Sequence, residues 1–140
     1  MLDQAGRLGV SSRVRFGSNM PQSELRYAYS SADVLLLTSA REGWPNVILE
    51  ALACGTPVVA FDVGAVRSML DDTVAGRVVS RRDGGSLAEA VAMLLAQPPR
   101  AADVRLHASR FDWASIARAQ FELITTAIER HRSKLEVDER

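Results

Sequence analysis

The chain has 140 residues, 47% of them apolar, with 17 basic and 17 acidic side chains and one cysteine. That length and composition describe one soluble globular domain with a real core. The balanced charge gives no basis for nucleic-acid binding, and the lone Cys54 excludes an internal disulfide.

No stretch approaches the length of a membrane span, and MLDQAGRLGV lacks the basic start and apolar core of a signal peptide. A cytoplasmic protein is expected. Met1 to Leu8 reads as the end of a helix stopped by Gly9. Val14, Arg15 and Phe16 read as a short strand ending at Gly17, with Ser18 to Met20 as the loop beyond it. Pro21 begins a helix whose Leu25, Ala28, Tyr29 and Ala32 share a face. Val34 to Leu37 is a continuous apolar run, the pattern of a parallel strand covered on both sides.

A loop from Thr38 to Trp44 leaves the C-terminal end of that strand, where ligands sit in open parallel sheets. Pro45 suits the first turn of a helix, because its φ is fixed and it has no N–H to lose. The helix runs to Cys54 and stops at Gly55. Val47, Ile48, Leu49, Ala51, Leu52, Ala53 and Cys54 make it apolar on every side, so a buried helix is predicted and Cys54 is a small core residue. Its single charge is Glu50, which needs a partner if buried.

Val58 to Phe61 is a buried strand, and a short helix ends near Leu70 after a turn marked by Gly64. A polar connection over 71–76 leads to a strand at Val78 and Val79. Arg81 and Arg82 read as surface residues of a solvated turn. Ser86 with Glu89 forms a capping box for a helix whose buried face is Leu87, Val91, Leu94 and Leu95, ended by Pro98-Pro99. Helices over 102–111 and 112–131 follow, then a frayed tail over 132–140. His107 and His131 have no metal-like spacing. Alternating strands and helices imply right-handed crossovers and a parallel sheet.

Glu42 lies just outside the start of the Pro45 helix, and Glu50 lies about 7 to 8 Å along its axis at 1.5 Å per residue. Two carboxylates thus bracket a helix N-terminus whose free N–H groups and positive dipole end favour an anion. A ligand with phosphate in the middle and hydroxyls on either side, such as a nucleotide sugar, matches that arrangement. Two plainer readings stand beside it: Glu42 as a solvated loop charge, and Glu50 paired with an arginine elsewhere.

The stretches VRFGSN at 14–19, SADVLLLTSAREG at 31–43, EALACGTPVVAFDVG at 50–64 and AGRVV at 75–79, with seven residues between Glu42 and Glu50, resemble family 4 retaining glycosyltransferases of the GT-B architecture. The resemblance covers most of the chain. It implies an α/β fold, a Rossmann-like parallel sheet with flanking helices, forming the C-terminal half of a GT-B enzyme whose first strands are missing. Residues 1–140 would be a single, partial nucleotide-sugar-binding domain.

It also implies roles. Glu42, the catalytic candidate, would hold hydroxyls of the donor sugar. The backbone of Gly43, Trp44, Pro45, Asn46 and Val47 would approach the sugar and diphosphate. Glu50 would accept hydrogen bonds from both ribose hydroxyls. Ser18, Asn19 and Met20, with Leu25 behind them, would wall the nucleobase. No cofactor and no metal are expected, and no D-x-D cluster suggests one. Transfer would be of a hexosyl group, with retention, to a glycan or lipid-linked acceptor in envelope polysaccharide or glycolipid assembly. Peripheral placement at the inner membrane face is the second option for location.

Two departures qualify the resemblance. Where the family commonly has two glycines followed by a glutamate, this chain reads Gly64, Ala65, Val66, Arg67, Ser68. The acceptor-binding N-terminal domain and the arginine and lysine that clamp the diphosphate are also absent, and Arg41 matches neither. The isolated chain is therefore expected to be inactive and marginally stable or self-associating. The alternative is a catalytically silent nucleotide-sugar-binding or interaction domain that needs a partner chain. A dinucleotide-binding domain is the weakest reading, since no G-x-G-x-x-G follows a strand.

Overall fold

A computed structural model describes residues 2–17, 19–70 and 74–138. The described elements run α1 (Leu2–Arg7), a 3-10 turn (Ser11–Arg13), α2 (Gln22–Ser30), β1 (Leu35–Leu37), α3 (Asn46–Ala53), β2 (Val58–Phe61), α4 (Val66–Met69), β3 (Gly76–Val79), α5 (Gly84–Ala96), α6 (Ala101–Ala108) and α7 (Trp113–Asp138). The strands form one parallel sheet in the order β1-β2-β3. Leu35 pairs with Val58 and Leu37 with Ala60, while Val58 pairs with Gly76 and Phe61 with Val79. The α/β reading holds.

The middle strand explains its sequence. All four residues of Val58–Phe61 are buried, as expected of a strand with a neighbour on each side and helices over it. Around it lie the fully enclosed Ile48, Leu52, Val66, Met69 and Val104. Ile48 and Leu52 come from one face of α3, and burying each contributes about 1.5–3 kcal/mol. α3 packs against β1, β2, α2 and α6, and α5 packs against β2 and β3. α3 is not buried all round, however. Ala53 and Asn46 are exposed and Cys54 is half-buried, because α3 covers the sheet on one side only. Gly55 ends it with φ +87°, where a Cβ would stand 2.9 Å from that of Ala101 in α6.

Several expectations need correction. Val14 to Phe16 is not a strand: it follows the 3-10 turn unpaired, with Val14 and Phe16 exposed. A strand exists only beside a partner, and in the doubly wound order the third and fourth strands are not neighbours. Ala32 lies beyond the end of α2 and is exposed. Leu95 is exposed too, since α5 turns Ala90 and Leu94 inward. The closing helix continues to Asp138, beyond the expected end at His131. Ser18 and residues 71–73 of the polar connection lie outside the described residues.

The cap of α5 also differs. Asp83, not Ser86, is the N-cap: its carboxylate accepts from the Ser86 N–H at 2.8 Å and the Ser86 hydroxyl at 3.0 Å. The sequence offers two cap residues three positions apart, and the outer one starts the helix at Gly84. These bonds hold the Asp83 carboxyl below its ordinary range. A depressed pKa means a contribution present above the unfolded value and lost as pH falls through the folded one. Asp83→Ala is expected to lower the thermal midpoint at neutral pH, with the gap to wild type closing in acid; thermal unfolding at both pH values checks it.

Candidate donor site

The site forms where β1 and β2 end. The loop from Thr38 to Trp44 leaves β1 and delivers the chain to Pro45, the N-cap of α3, at φ −75° and ψ 95°. The Pro45 ring is buried and no side chain caps the helix. The first N–H groups of a helix have no partner within it, so the start of α3 offers donors and a positive dipole end. Asn46 is exposed and Val47 half-buried there.

A second loop fixes the first. After β2 the chain turns through Gly64, at φ +51°, and the Ala65 N–H donates to the Gly43 carbonyl at 3.0 Å. A Cβ on Gly64 would overlap the Glu42 carbonyl oxygen and stand 2.8 Å from that of Gly43. The Glu42–Gly43 backbone is therefore pinned against the loop after β2, with the Glu42 side chain half-buried. Beside it the Arg82 guanidinium donates to the Ala40 carbonyl at 3.3 Å. Arg81 pairs with Asp83 at 3.2 Å.

Glu50 has found the partner its position demands, and it is not an arginine. The Tyr29 hydroxyl donates to Oε2 at 2.9 Å, and Gln22 Nε2 approaches Oε1 at 3.5 Å. Both come from α2. A phenol is protonated at neutral pH in any case, and burial, then the bond to Glu50, push Tyr29 further up to about 12.

Trp44 is 46% exposed. Its ring meets Phe111 edge-on at 6.2 Å, and Phe111 lies 5.8 Å from His107, whose Nε2 is 2.9 Å from the Met69 carbonyl. In a Trp113→Phe variant the remaining tryptophan fluorescence is expected to be readily quenched by acrylamide; a protected signal would contradict this placement of Trp44.

The candidates fall into groups. Glu42 and Gly43 are joined to Gly64 and Ala65, and Glu50 is joined to α2. Asn19 and Met20 are exposed just before α2. Met20 borders an open hollow of about 510 Å³ with Glu24, Tyr27, Ala28 and Ser31, and the half-buried Leu25 is not among its lining residues. Sequence reasoning placed Tyr29 on an apolar helix face and missed its hydroxyl's role. It read Gly64 as a turn and missed the close approach.

The model of the family described as Glycosyl transferases group 1 matches residues 1–111. The chain belongs to this family, which bears out the family 4, GT-B resemblance. It is 40% identical over 129 residues to D-inositol 3-phosphate glycosyltransferase 2 of Catenulispora acidiphila, an alignment covering 89% of this chain and 30% of the relative. It is 38% identical over 138 residues to a D-inositol 3-phosphate glycosyltransferase of Thermobispora bispora, covering 95% and 32%. The chain thus spans about a third of the length of these relatives. Among solved structures, sucrose-phosphate synthase from Thermosynechococcus elongatus superposes with TM-score 0.78 and 28% identity, covering 91% of this chain and 33% of that one. HepE of Anabaena, in complex with UDP and glucose, gives 0.76 and 26%, covering 89% and 35%.

Proposed function

We propose that this chain binds the nucleotide-sugar donor of a retaining glycosyltransferase that transfers a hexosyl group to a glycan or lipid-linked acceptor. The observation that carries the reading is the uncapped start of α3 at the C-terminal end of β1, with Glu42 before it and Glu50 one turn inside it. The start of α3 takes the diphosphate, aided by the backbone of Gly43 to Val47. Glu42 holds sugar hydroxyls and acts at the reacting centre, and Glu50 accepts from the ribose hydroxyls. Asn19, Met20 and Leu25 lie toward the base. A relative whose structure carries UDP and glucose supports the donor class, and relatives with glycosyltransferase names support the chemistry. The leaving diphosphate is stabilised by donors already in place.

The acceptor is bound by a domain outside these residues, and the enzyme works in the cytoplasm, with peripheral attachment at the inner membrane face as the finer reading. Among the described residues no helix is long and apolar enough to cross a membrane.

Residues 1–140 by themselves are expected to associate and to transfer nothing. Among the described residues the outer edges of β1 and β3 are unpaired, and Phe16, Leu36, Phe121 and Ile124 are exposed. Open strand edges and uncovered apolar surface promote association. Sedimentation, thermal unfolding and donor-hydrolysis assays on residues 1–140 check this; a stable monomer that turns over a sugar donor would refute it. Donor binding without turnover in a full-length protein would favour the catalytically silent reading.

A further inference from the structure

We infer that Tyr29 and Thr56 form a positioning unit that fixes the Glu50 carboxylate for ligand hydroxyls. The inference rests on the reading of Glu50 as the ribose-binding carboxylate. Glutamate is a flexible side chain, and an ionised carboxylate has about four lone-pair sites over two oxygens. Unless something holds it, its oxygens sample many orientations, and ordering them on binding opposes affinity.

The structure holds one oxygen firmly and the other loosely. The Tyr29 hydroxyl sits 2.9 Å from Oε2, within normal hydrogen-bond length. The contact at Oε1, from the exposed Gln22 amide, is 3.5 Å and at the limit of a hydrogen bond. Tyr29 thus anchors the carboxylate by one edge, while the Gln22 edge is the one an incoming hydroxyl can take.

Tyr29 is itself tied down at its other end. The Thr56 hydroxyl donates to the Tyr29 carbonyl at 2.6 Å, and Thr56 is 3% exposed. Thr56 lies between the end of α3 at Gly55 and the start of β2, and its own N–H donates to the Ala51 carbonyl at 2.9 Å. The segment that ends α3 therefore grips the backbone of Tyr29, and Tyr29 reaches back to the carboxylate of α3. This closes a loop of contacts among α2, α3 and the connection between α3 and β2. The phenol is protonated at neutral pH as tyrosines are, and it is the donor of the pair with Glu50. Tyr29 touches no ligand in this account; it acts through Glu50.

The test separates positioning from simple packing. Binding of a nucleoside diphosphate, whichever of UDP, GDP and ADP the full-length wild type binds most tightly, is measured by calorimetry beside its 2′-deoxy counterpart. Glu50→Gln, Tyr29→Phe, Thr56→Val and the Tyr29→Phe/Glu50→Gln double variant are compared. Tyr29→Phe is expected to weaken the ribonucleotide about ten-fold and the deoxynucleotide far less. Thr56→Val should do the same more mildly, and the double variant should bind no worse than Glu50→Gln. A Tyr29→Phe protein that keeps the full ribo-to-deoxy preference, while Glu50→Gln loses it, overturns the positioning role alone. A preference untouched by Glu50→Gln overturns the ribose reading and this inference with it. If Tyr29→Phe does not fold, the Thr56→Val ratio decides by the same criterion.

Discussion

In a full-length enzyme carrying this segment, Gly64→Ala is expected to lower donor turnover about a hundred-fold while leaving most of the fold intact. At φ +51° the residue sits in the left-handed region, where a non-glycine side chain costs about 1–3 kcal/mol. The added Cβ must also displace the Glu42 carbonyl or the Gly43 carbonyl, with which it would collide. Neither lies at the end of a flexible side chain, so the backbone of the loop before α3 has to move. The Ala65 N–H bond to Gly43 holds the same two loops together and would be strained with it. A shift of about 1 Å in positioned groups can cost about a hundred-fold in rate. Steady-state kinetics with unfolding curves for Gly64→Ala and wild type check this. Unchanged kcat in a folded variant would show that the Glu42–Gly43 backbone is not part of the reaction geometry.

Glu50→Ala and Glu42→Ala should fail in different ways. In a full-length enzyme carrying this segment, losing Glu50 weakens nucleotide binding by a few kcal/mol at most. Each hydrogen bond to a charged group contributes about 1.5–3 kcal/mol, and about 1.4 kcal/mol is ten-fold in Kd. The variant also leaves the Tyr29 hydroxyl without its acceptor on α3, so a modest loss of thermal stability accompanies it. Glu42→Ala has no such structural consequence and mainly lowers kcat, by about a hundred-fold or more if it makes a preorganised contact to the transition state. Kinetics unchanged in both variants would remove the assignment.

What the sequence disclosed about this fold was mostly local. Pro45 and Gly55 bound α3 because a fixed φ and a positive φ are properties of single residues. Val58 to Phe61 showed its burial through four consecutive apolar side chains. That Glu50 needs a partner was legible from one carboxylate on an apolar helix. That the partner is a phenol was not, because Tyr29 lies 21 residues away on another helix. Non-local pairing also explains the missing strand: Val14 to Phe16 has the right residue types, but a strand depends on a neighbour that its own residues do not specify. At α5 two capping residues competed, and side-chain geometry at Asp83 decided between them. The pinning of Glu42 by Gly64 required two loops that only the parallel pairing of β1 and β2 brings together.

Amide mapping shows whether the donor binds at the start of α3. A full-length enzyme carrying this segment, ¹⁵N-labelled, is titrated with UDP, GDP and ADP and followed residue by residue. The largest shifts are predicted at the amides of Gly43, Trp44, Asn46, Val47 and Glu50 (Pro45 has none to report), with smaller ones at Asn19 and Met20. Shifts confined to the hollow between β3 and α5, lined by Arg77, Ser86 and Glu89, or no shifts at millimolar nucleotide, would place the donor elsewhere than at α3.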